Sequence, residues 1–341
     1  MNSIIERDCR DILRRVDVKK IRNKKILITG ASGFLGQHIV STLSLANREM
    51  ELHCTIHAVG LHAPKSILKD LLADDPRISY RRIDMSRPFR LSGYDYIFHA
   101  AGYGQPARFI ADPGSTIAVN TDAVQRLLDG SPRATFLFFS SAEIYGDIPA
   151  QFRPTREDFN GNCPLHKPRS VYAESKRLGE ALCAAYTRDK GADVKIVRIS
   201  HSYGPGLPPG DKRVMSEFIH KALTEKNITL LDAGKSVKTY GYVADSVAMI
   251  LFVALHGRDM VYNVGGQESI SVRNLAKKIA QQCRVPYRVP SRSSSLIHIG
   301  KDPGFVKLNL TKIKREMKTM TFTPFSEGLS RTIEWQKSFH R

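Results

Sequence analysis

The stretch KILITGASGFLG (25–36) constrains the fold more than any other part of the chain. A short apolar strand, KILIT, runs into Gly30, Gly33 and Gly36, spaced G-x-x-G-x-x-G, and a helical segment, GFLGQHIVSTLSLA, follows directly. Glycine lets the chain turn tightly and lets a pyrophosphate approach a helix N-terminus, where free N–H groups and the dipole favour an anion. Gly36 lets the helix pack close to the sheet. A lone glycine trio is a weak signal, but between a strand and a helix it points to a dinucleotide site.

The alternation continues. LHCTIHAV, ISYRRID, YDYIFHA, ATFLFFS and VKIVRIS read as strands; KSILKDLLAD and SVYAESKRLGEALCAAYTRD read as helices, and GSTIAVNTDAVQRLLD reads as one helix over about 113–129. Strand and helix in turn predict an α/β fold with a doubly wound parallel sheet. Ile5, Cys9, Ile12, Leu13 and Val16 recur at helical spacing, so residues 1–22 form an amphipathic N-terminal extension. We assign residues 23–200 to the dinucleotide-binding domain. Residues 201–341 are mainly a smaller substrate-binding lobe, with about 236–264 returning to the first domain. GPGLPPG (204–210) and SRSSS (291–295) read as loops, and RVMSEFIHKALTE and SVRNLAKKIAQQC as helices of the lobe. Ligands of such folds bind at the carboxyl ends of the strands.

The formal net charge is +19. A basic surface attracts anions, but the basic residues are spread along the chain and the densest runs lack interleaved aromatics, so no nucleic-acid partner is expected. The five cysteines are scattered without a C-x-x-C pair, which suits reduced thiols in the cytoplasm. HCTIHAVGLH (53–62) gathers three His and one Cys, but no second ligand cluster accompanies it, and an ordinary strand with its turn is the simpler reading; no metal is expected. The start of the chain is charged throughout and unlike a signal peptide, and VAMILFVAL (247–255) is too short to cross a bilayer.

An acid after the second strand ordinarily holds the adenosine ribose. TIHAVGLHAPK (55–65) has none, and His62 and Lys65 are basic, which could suit a 2′-phosphate, so these residues leave the choice between NAD and NADP open. Asp84 is a candidate for the adenine amino group or, equally, a turn acid. Tyr172 and Lys176 lie four apart, on one helix face. A phenol is a poor base, with an ordinary pKa of about 10. A nearby ammonium and an oxidised nicotinamide ring would lower it, so that Tyr172 takes a proton from a substrate hydroxyl as hydride leaves the same carbon. Ser141 stands at the end of an earlier strand in SSAEIYG (140–146), followed by Ala142 and Glu143.

With these pieces in place the chain resembles the extended short-chain dehydrogenases/reductases, specifically the NAD-dependent epimerase/dehydratase family with its sugar-nucleotide epimerases, dehydratases and decarboxylases. TGASGFLG, HAAG (99–102), VNTDAV (119–124), SSAEIYG, YAESK (172–176), VRISHSYGPG (197–206), YVAD (242–245) and YNVGG (262–266) fall in family order over roughly 24–335. The resemblance implies a Rossmann sheet, with Gly30, Gly33, Phe34, Leu35 and Gly36 on the NAD pyrophosphate and Asp84 and Met85 at the adenine. It implies Ala100, Ala101, Gly102 and Asn120 beside the cofactor. Tyr172 is then the base and Lys176 its orienter, also on the nicotinamide ribose, with Ser141 sharing the hydrogen bond to the sugar hydroxyl. Gln105, His201 and Lys238 face the substrate. Arg213 takes its diphosphate or, on the plainer reading, is a solvated charge at a helix start. The resemblance also implies a nucleotide-sugar substrate, a homodimer built through the helices at 113–129 and 170–189, and polysaccharide or glycan precursor supply.

KPRSVYAESKRLGEALC, GPGLPPGDKRVMSEFIHKAL and AGKSVKTYGYVAD are most similar to UDP-glucuronate decarboxylases. Three departures stand out: Ser141-Ala142 replaces Thr-Ser, Lys238 stands for an Arg, and GYGQPARF (102–109) replaces a Pro-rich loop. All these enzymes oxidise the sugar at C4. A dehydratase then needs an Asp where this chain has Ala142, and a methyl group protonates nothing. Decarboxylation is therefore the first expectation, with Glu143 and Lys238 positioning the sugar. 4-Epimerisation or NADPH-dependent reduction of a 4-keto sugar comes second, and a non-catalytic dinucleotide-binding protein is the alternative of another class.

Overall fold

A computed structural model describes residues 1–64, 67–208, 210–290 and 305–339; Lys65 and the SRSSS stretch lie outside them. The chain begins with α1 (Ser3–Arg15), β1 (Lys25–Thr29), α2 (Phe34–Met50), β2 (Thr55–Gly60), α3 (Ile67–Asp74), β3 (Ile78–Arg82) and β4 (Tyr96–His99). Next come α4 (Pro106–Ala111), α5 (Pro113–Asn120), α6 (Asp122–Gly130), β5 (Thr135–Ser141), α7 (Ser170–Lys190) and β6 (Val194–Ile199). Then follow β7 (His201–Tyr203), α8 (Val214–Thr224), β8 (Ile228–Thr229), β9 (Val237–Tyr242), α9 (Val243–His256) and β10 (Val261–Val264). The chain closes with β11 (Ser269–Ser271), α10 (Val272–Cys283), β12 (Tyr287–Arg288), β13 (Phe305–Val306), α11 (Thr311–Glu316) and α12 (Phe325–Lys337).

Seven strands make one parallel sheet in the order β10-β6-β5-β4-β1-β2-β3. Both faces are covered, as an all-parallel sheet requires. Within β1, Ile26 and Ile28 pack with Ile39 of α2, Ile12 of α1 and Leu251 of α9, while Leu27 faces Val119, Leu127 and Cys183 of α5, α6 and α7. The strand order reverses between β1 and β4, which opens a crevice at their carboxyl ends.

The predicted single helix over 113–129 is two. Thr121 leaves the helical region (φ −124°, ψ −71°), and its hydroxyl donates back to the Ile117 carbonyl at 2.9 Å. A β-branched residue bonded to the preceding turn competes with helix continuation, and the break leaves Asn120 buried at the end of α5.

A smaller sheet joins β7, β11 and β13 to β9, and β8 pairs with β12. Since β9 lies in that sheet, only α9 and β10 of residues 236–264 join the layers of the large one. Helix α1 buries Ile5, Cys9 and Ile12 against the large sheet's helices. Its buried Asp8 accepts hydrogen bonds from the Tyr242 hydroxyl and the Arg331 guanidinium, each at 2.6 Å, and Arg15 pairs with Asp245 at 2.7 Å. The N-terminal helix is thereby bound to the β9–α9 turn and to α12. No helix among the described residues is long and apolar enough to cross a membrane, and no group of three or more potential metal ligands occurs among them.

Candidate functional site

The glycine turn lies at the β1–α2 junction, in the crevice. Gly30 has φ +66°, and a Cβ there would stand 2.5 Å from the Ala100 carbonyl oxygen. A Cβ on Gly36 would meet the Gly30 carbonyl oxygen at 2.3 Å, so neither position accepts a side chain without moving backbone. Gly33 precedes α2 and donates to the Gly30 carbonyl at 2.8 Å. The first-turn N–H groups at Phe34, Leu35 and Gly36 have no carbonyl one turn earlier in the helix, which makes this end a receptor for a phosphate.

A buried strut fixes the facing wall. His99, at the end of β4, contacts the Thr29 hydroxyl through Nδ1 at 2.8 Å and the Val119 carbonyl through Nε2 at 2.9 Å. Burial, reinforced by Lys176, pushes its pKa down to about 3, so the ring is neutral. A carbonyl only accepts, so Nε2 carries the proton and Nδ1 accepts from Thr29. Thr29 Oγ1 in turn receives the Ala101 N–H at 3.3 Å, and its carbonyl receives Ala100 N–H at 3.2 Å. Met85 is buried in the neighbouring core. Asp84 Oδ1 accepts from the backbone N–H and the hydroxyl of Ser86, at 2.9 and 2.6 Å, so this oxygen does the work of a turn acid.

Gly102, Asn120 and Lys176 converge. A Cβ on Gly102 (φ +155°) would lie 3.6 Å from Lys176 Nζ and 3.9 Å from Asn120 Oδ1. Asn120 donates to the Thr116 carbonyl and the Ser175 hydroxyl, but its buried Oδ1 has no partner among the described residues. An orphaned acceptor beside a glycine-lined gap and an amine fits a ligand rich in hydroxyls, such as a ribose.

Tyr172 and Lys176 share one face of α7 but point to different partners. Lys176 Nζ donates to the Phe139 carbonyl at 2.6 Å and lies 4.8 Å above the Phe138 ring. Burial lowers its pKa to about 7, against support from Glu180. The Tyr172 hydroxyl faces the Ser141 hydroxyl, and Ser141 Oγ accepts the Glu143 N–H at 3.2 Å. The Phe109 ring stacks on Tyr172 at 4.8 Å and 15°. Burial and the Glu143 carboxylate push the phenol up to about 12, against the pull of Ser141 and Arg169. Lys176 does not counter this push, because its amine is turned to the β5 backbone.

Sequence reasoning missed Arg169. Its guanidinium donates to Glu143 Oε1 at 2.6 Å and lies 5.8 Å over the Phe109 ring, making a stack of Arg169, Phe109 and Tyr172. The only signal was its place just before the Tyr172 helix. Phe109 was equally hidden, within the stretch that departs from the decarboxylase pattern. Ala142, the position of a dehydratase's acid, is buried in the core.

The remaining candidates occupy the lobe side. Arg213 holds Asp211 with two bonds, from Nε at 2.9 Å and Nη2 at 3.0 Å, and its guanidinium lies 5.3 Å over Phe34, the first residue of α2. It is ion-paired beside the glycine turn, with its side chain still 39% exposed. Gln105 reaches the same Asp211 at 3.5 Å. His201 and Lys238 sit on neighbouring strands of the small sheet, His201 edge-on to Tyr240 at 6.1 Å and Lys238 buried. His62 is exposed beyond β2.

The sequence model of the NAD dependent epimerase/dehydratase family matches residues 26–265. UDP-glucuronic acid decarboxylase 1 of Xenopus tropicalis is 27% identical over 314 residues, 92% of this chain and 72% of its own length. UDP-glucuronic acid decarboxylase 6 of Arabidopsis thaliana is 30% identical, covering 76% of this chain and 74% of its own. In three dimensions the chain resembles UDP-glucose 4-epimerase of Thermotoga maritima with a TM-score of 0.76, at 24% identity over 93% of this chain and 100% of that one. It also resembles UDP-glucuronic acid 4-epimerase of Bacillus cereus, solved with NAD, with a TM-score of 0.75 at 19% identity over 92% and 99%.

Proposed function

Because the chain belongs to the NAD dependent epimerase/dehydratase family, we propose that it modifies a nucleoside-diphosphate sugar through a transient 4-keto sugar, with UDP-glucuronate decarboxylation as the first reading. The observation that carries it is the cluster of Ser141, Tyr172, Glu143 and Arg169 beside the glycine turn's crevice. A nicotinamide dinucleotide, held by Gly30 to Gly36 and by Asn120 and Lys176, supplies reversible hydride acceptance. Tyr172 would receive the proton of the C4 hydroxyl as the phenolate, a form that the positive charge of an oxidised nicotinamide ring would favour, and Ser141 orients both hydroxyls. In a 4-ketoglucuronate the ketone is β to the C6 carboxylate, so the C5–C6 bond breaks, carbon dioxide leaves, and the electron pair remains on the sugar until C5 takes a proton. Glu143 and Arg169 form the charged edge that positions the sugar for this loss.

The second reading, 4-epimerisation, needs only Ser141, Tyr172 and Lys176 and is favoured by the buried Ala142 and by the neutralising bond from Arg169 to Glu143. A panel of UDP-sugars followed by NMR separates the two. Release of carbon dioxide from UDP-glucuronate supports the first; its return unchanged while another UDP-sugar is inverted at C4 supports the second. Glu143→Gln is expected to cut turnover while dinucleotide binding persists. Because the Glu143 charge raises the Tyr172 phenol, residual activity should show the ascending limb of its pH profile, where the base loses its proton, at lower pH than in the parent. An unchanged rate and profile would return Glu143 to a plain loop acid.

We place the enzyme in the cytoplasm, in keeping with its five free cysteines. We also read it as a homodimer through α5 and α7, which carry Ile117 and Leu178 exposed at 44% and 51%. Light scattering on the double variant Ile117→Glu/Leu178→Glu should give half the parent's mass; a parent that is already monomeric contradicts the dimer.

A further inference from the structure

We propose that the adenosine end of the dinucleotide site is built for a 2′-phosphate, so that this chain prefers NADP(H) over NAD(H), with Arg82 and Ser32 as its phosphate-binding side chains. This rests on the functional reading above and concerns which dinucleotide serves it.

Sites for the unphosphorylated cofactor place a carboxylate at the end of the second strand, where it accepts hydrogen bonds from the ribose hydroxyls and repels a phosphate. Here β2 ends at Gly60, and Leu61, His62, Ala63 and Pro64 follow, with no acid among them. Position 60 would take one only if the Tyr80 and Ser32 side chains moved aside. A Cβ there would stand 2.3 Å from the Tyr80 hydroxyl and 2.7 Å from Ser32 Oγ. Tyr80 is fixed in this place, since its hydroxyl donates to the His62 carbonyl. The space of the ribose-binding carboxylate is thus filled by a phenol from β3.

What replaces the acid is cationic. Arg82 is the register partner of Gly60 and lies two residues beyond Tyr80 on β3, so both side chains stand on the same face of the sheet. Arg82 is exposed and makes no hydrogen bond or ion pair among the described residues. Ser32, in the glycine turn and exposed, brings its hydroxyl to the same place, 2.7 Å from where a Gly60 Cβ would stand. A guanidinium fork and a hydroxyl flanking a side-chain-free strand end suit a phosphate monoester and leave a bare ribose 2′-hydroxyl without its acceptor. Strand β3 carries no acid, and the next one along, Asp84, is engaged with Ser86.

Purified protein titrated separately with NADH and NADPH, followed by nicotinamide fluorescence, tests this, together with mass spectrometry of any dinucleotide that copurifies. NADPH should bind at least about tenfold more tightly, the scale of one charge-assisted contact. Arg82→Ala should remove that margin by weakening NADPH alone. Gly60→Asp combined with Tyr80→Ala, which opens room for the acid, should turn the preference toward NADH. Equal or tighter binding of NADH, copurified NAD, or an Arg82→Ala variant that weakens both ligands alike overturns the proposal. Binding of neither dinucleotide overturns it together with the functional reading.

Discussion

Tyr172→Phe should lower turnover by about 10²- to 10⁴-fold, the usual contribution of a positioned acid–base group, with fold and dinucleotide affinity intact. The substitution removes one oxygen and leaves the ring stacked on Phe109. Ser141 keeps its bond to the Glu143 backbone, so no buried group is stranded. The measurement is steady-state turnover on whichever UDP-sugar the NMR panel identifies, beside dinucleotide titration and thermal melting. A variant that binds the dinucleotide and turns over at the parent's rate removes Tyr172 from the chemistry. Preserved cellular phenotypes as well would favour the alternative of another class, a non-catalytic dinucleotide-binding protein.

Arg198→Leu should cost roughly 3–5 kcal/mol of stability. Arg198, on β6, reaches both carboxylate oxygens of Glu180 on α7, with a closest approach of 2.7 Å, and also bonds the Tyr145 hydroxyl at 3.1 Å and the Glu157 carbonyl at 2.7 Å. The two paired side chains are only 12% and 11% exposed. Without Arg198, Glu180 keeps the Ser140 hydroxyl, at 2.5 Å, but loses its ion-pair partner. A buried carboxylate stripped of its counter-charge is costly, whereas removing both charges together is often neutral. The double variant Arg198→Leu/Glu180→Leu should therefore recover most of the melting temperature. It should not recover activity, because Glu180 lies one turn beyond Lys176 and supports its ammonium. A loss below about 1 kcal/mol in the single variant would mean that water reaches the pair.

Much of this was legible in the sequence because it is local. Gly30, Gly33 and Gly36 are read within eight residues, and strands as apolar as KILIT and ATFLFFS belong to any buried parallel sheet. The Tyr172 and Lys176 spacing fixes a shared helix face by periodicity alone. What stayed hidden depends on contacts far apart in the chain. The Arg169 bond to Glu143 spans 26 residues and turns the site's one acid into half of an ion pair. Phe109 meets Tyr172 only after α4 has packed beside α7. Lys176 faces the β5 backbone, which periodicity does not reveal, since it fixes a face and not a partner. The break at Thr121 lay inside a pattern that reads as continuous helix, and only its backbone torsions and side-chain bond separate α5 from α6.

The position of α1 bears on how the chain reaches its native state. Asp8 and Arg331 are bonded across a sequence separation of 323, and Arg15 meets Asp245 across one of 230. On the ribosome the first helix therefore emerges long before its partners and holds Ile5, Cys9 and Ile12 without their final cover. The α1 contacts with α12 form only after everything between the two helices has been made, so assembly of this part is late and slow to nucleate. A chain cut short before α12 would retain every residue of the proposed chemistry and still fail to close.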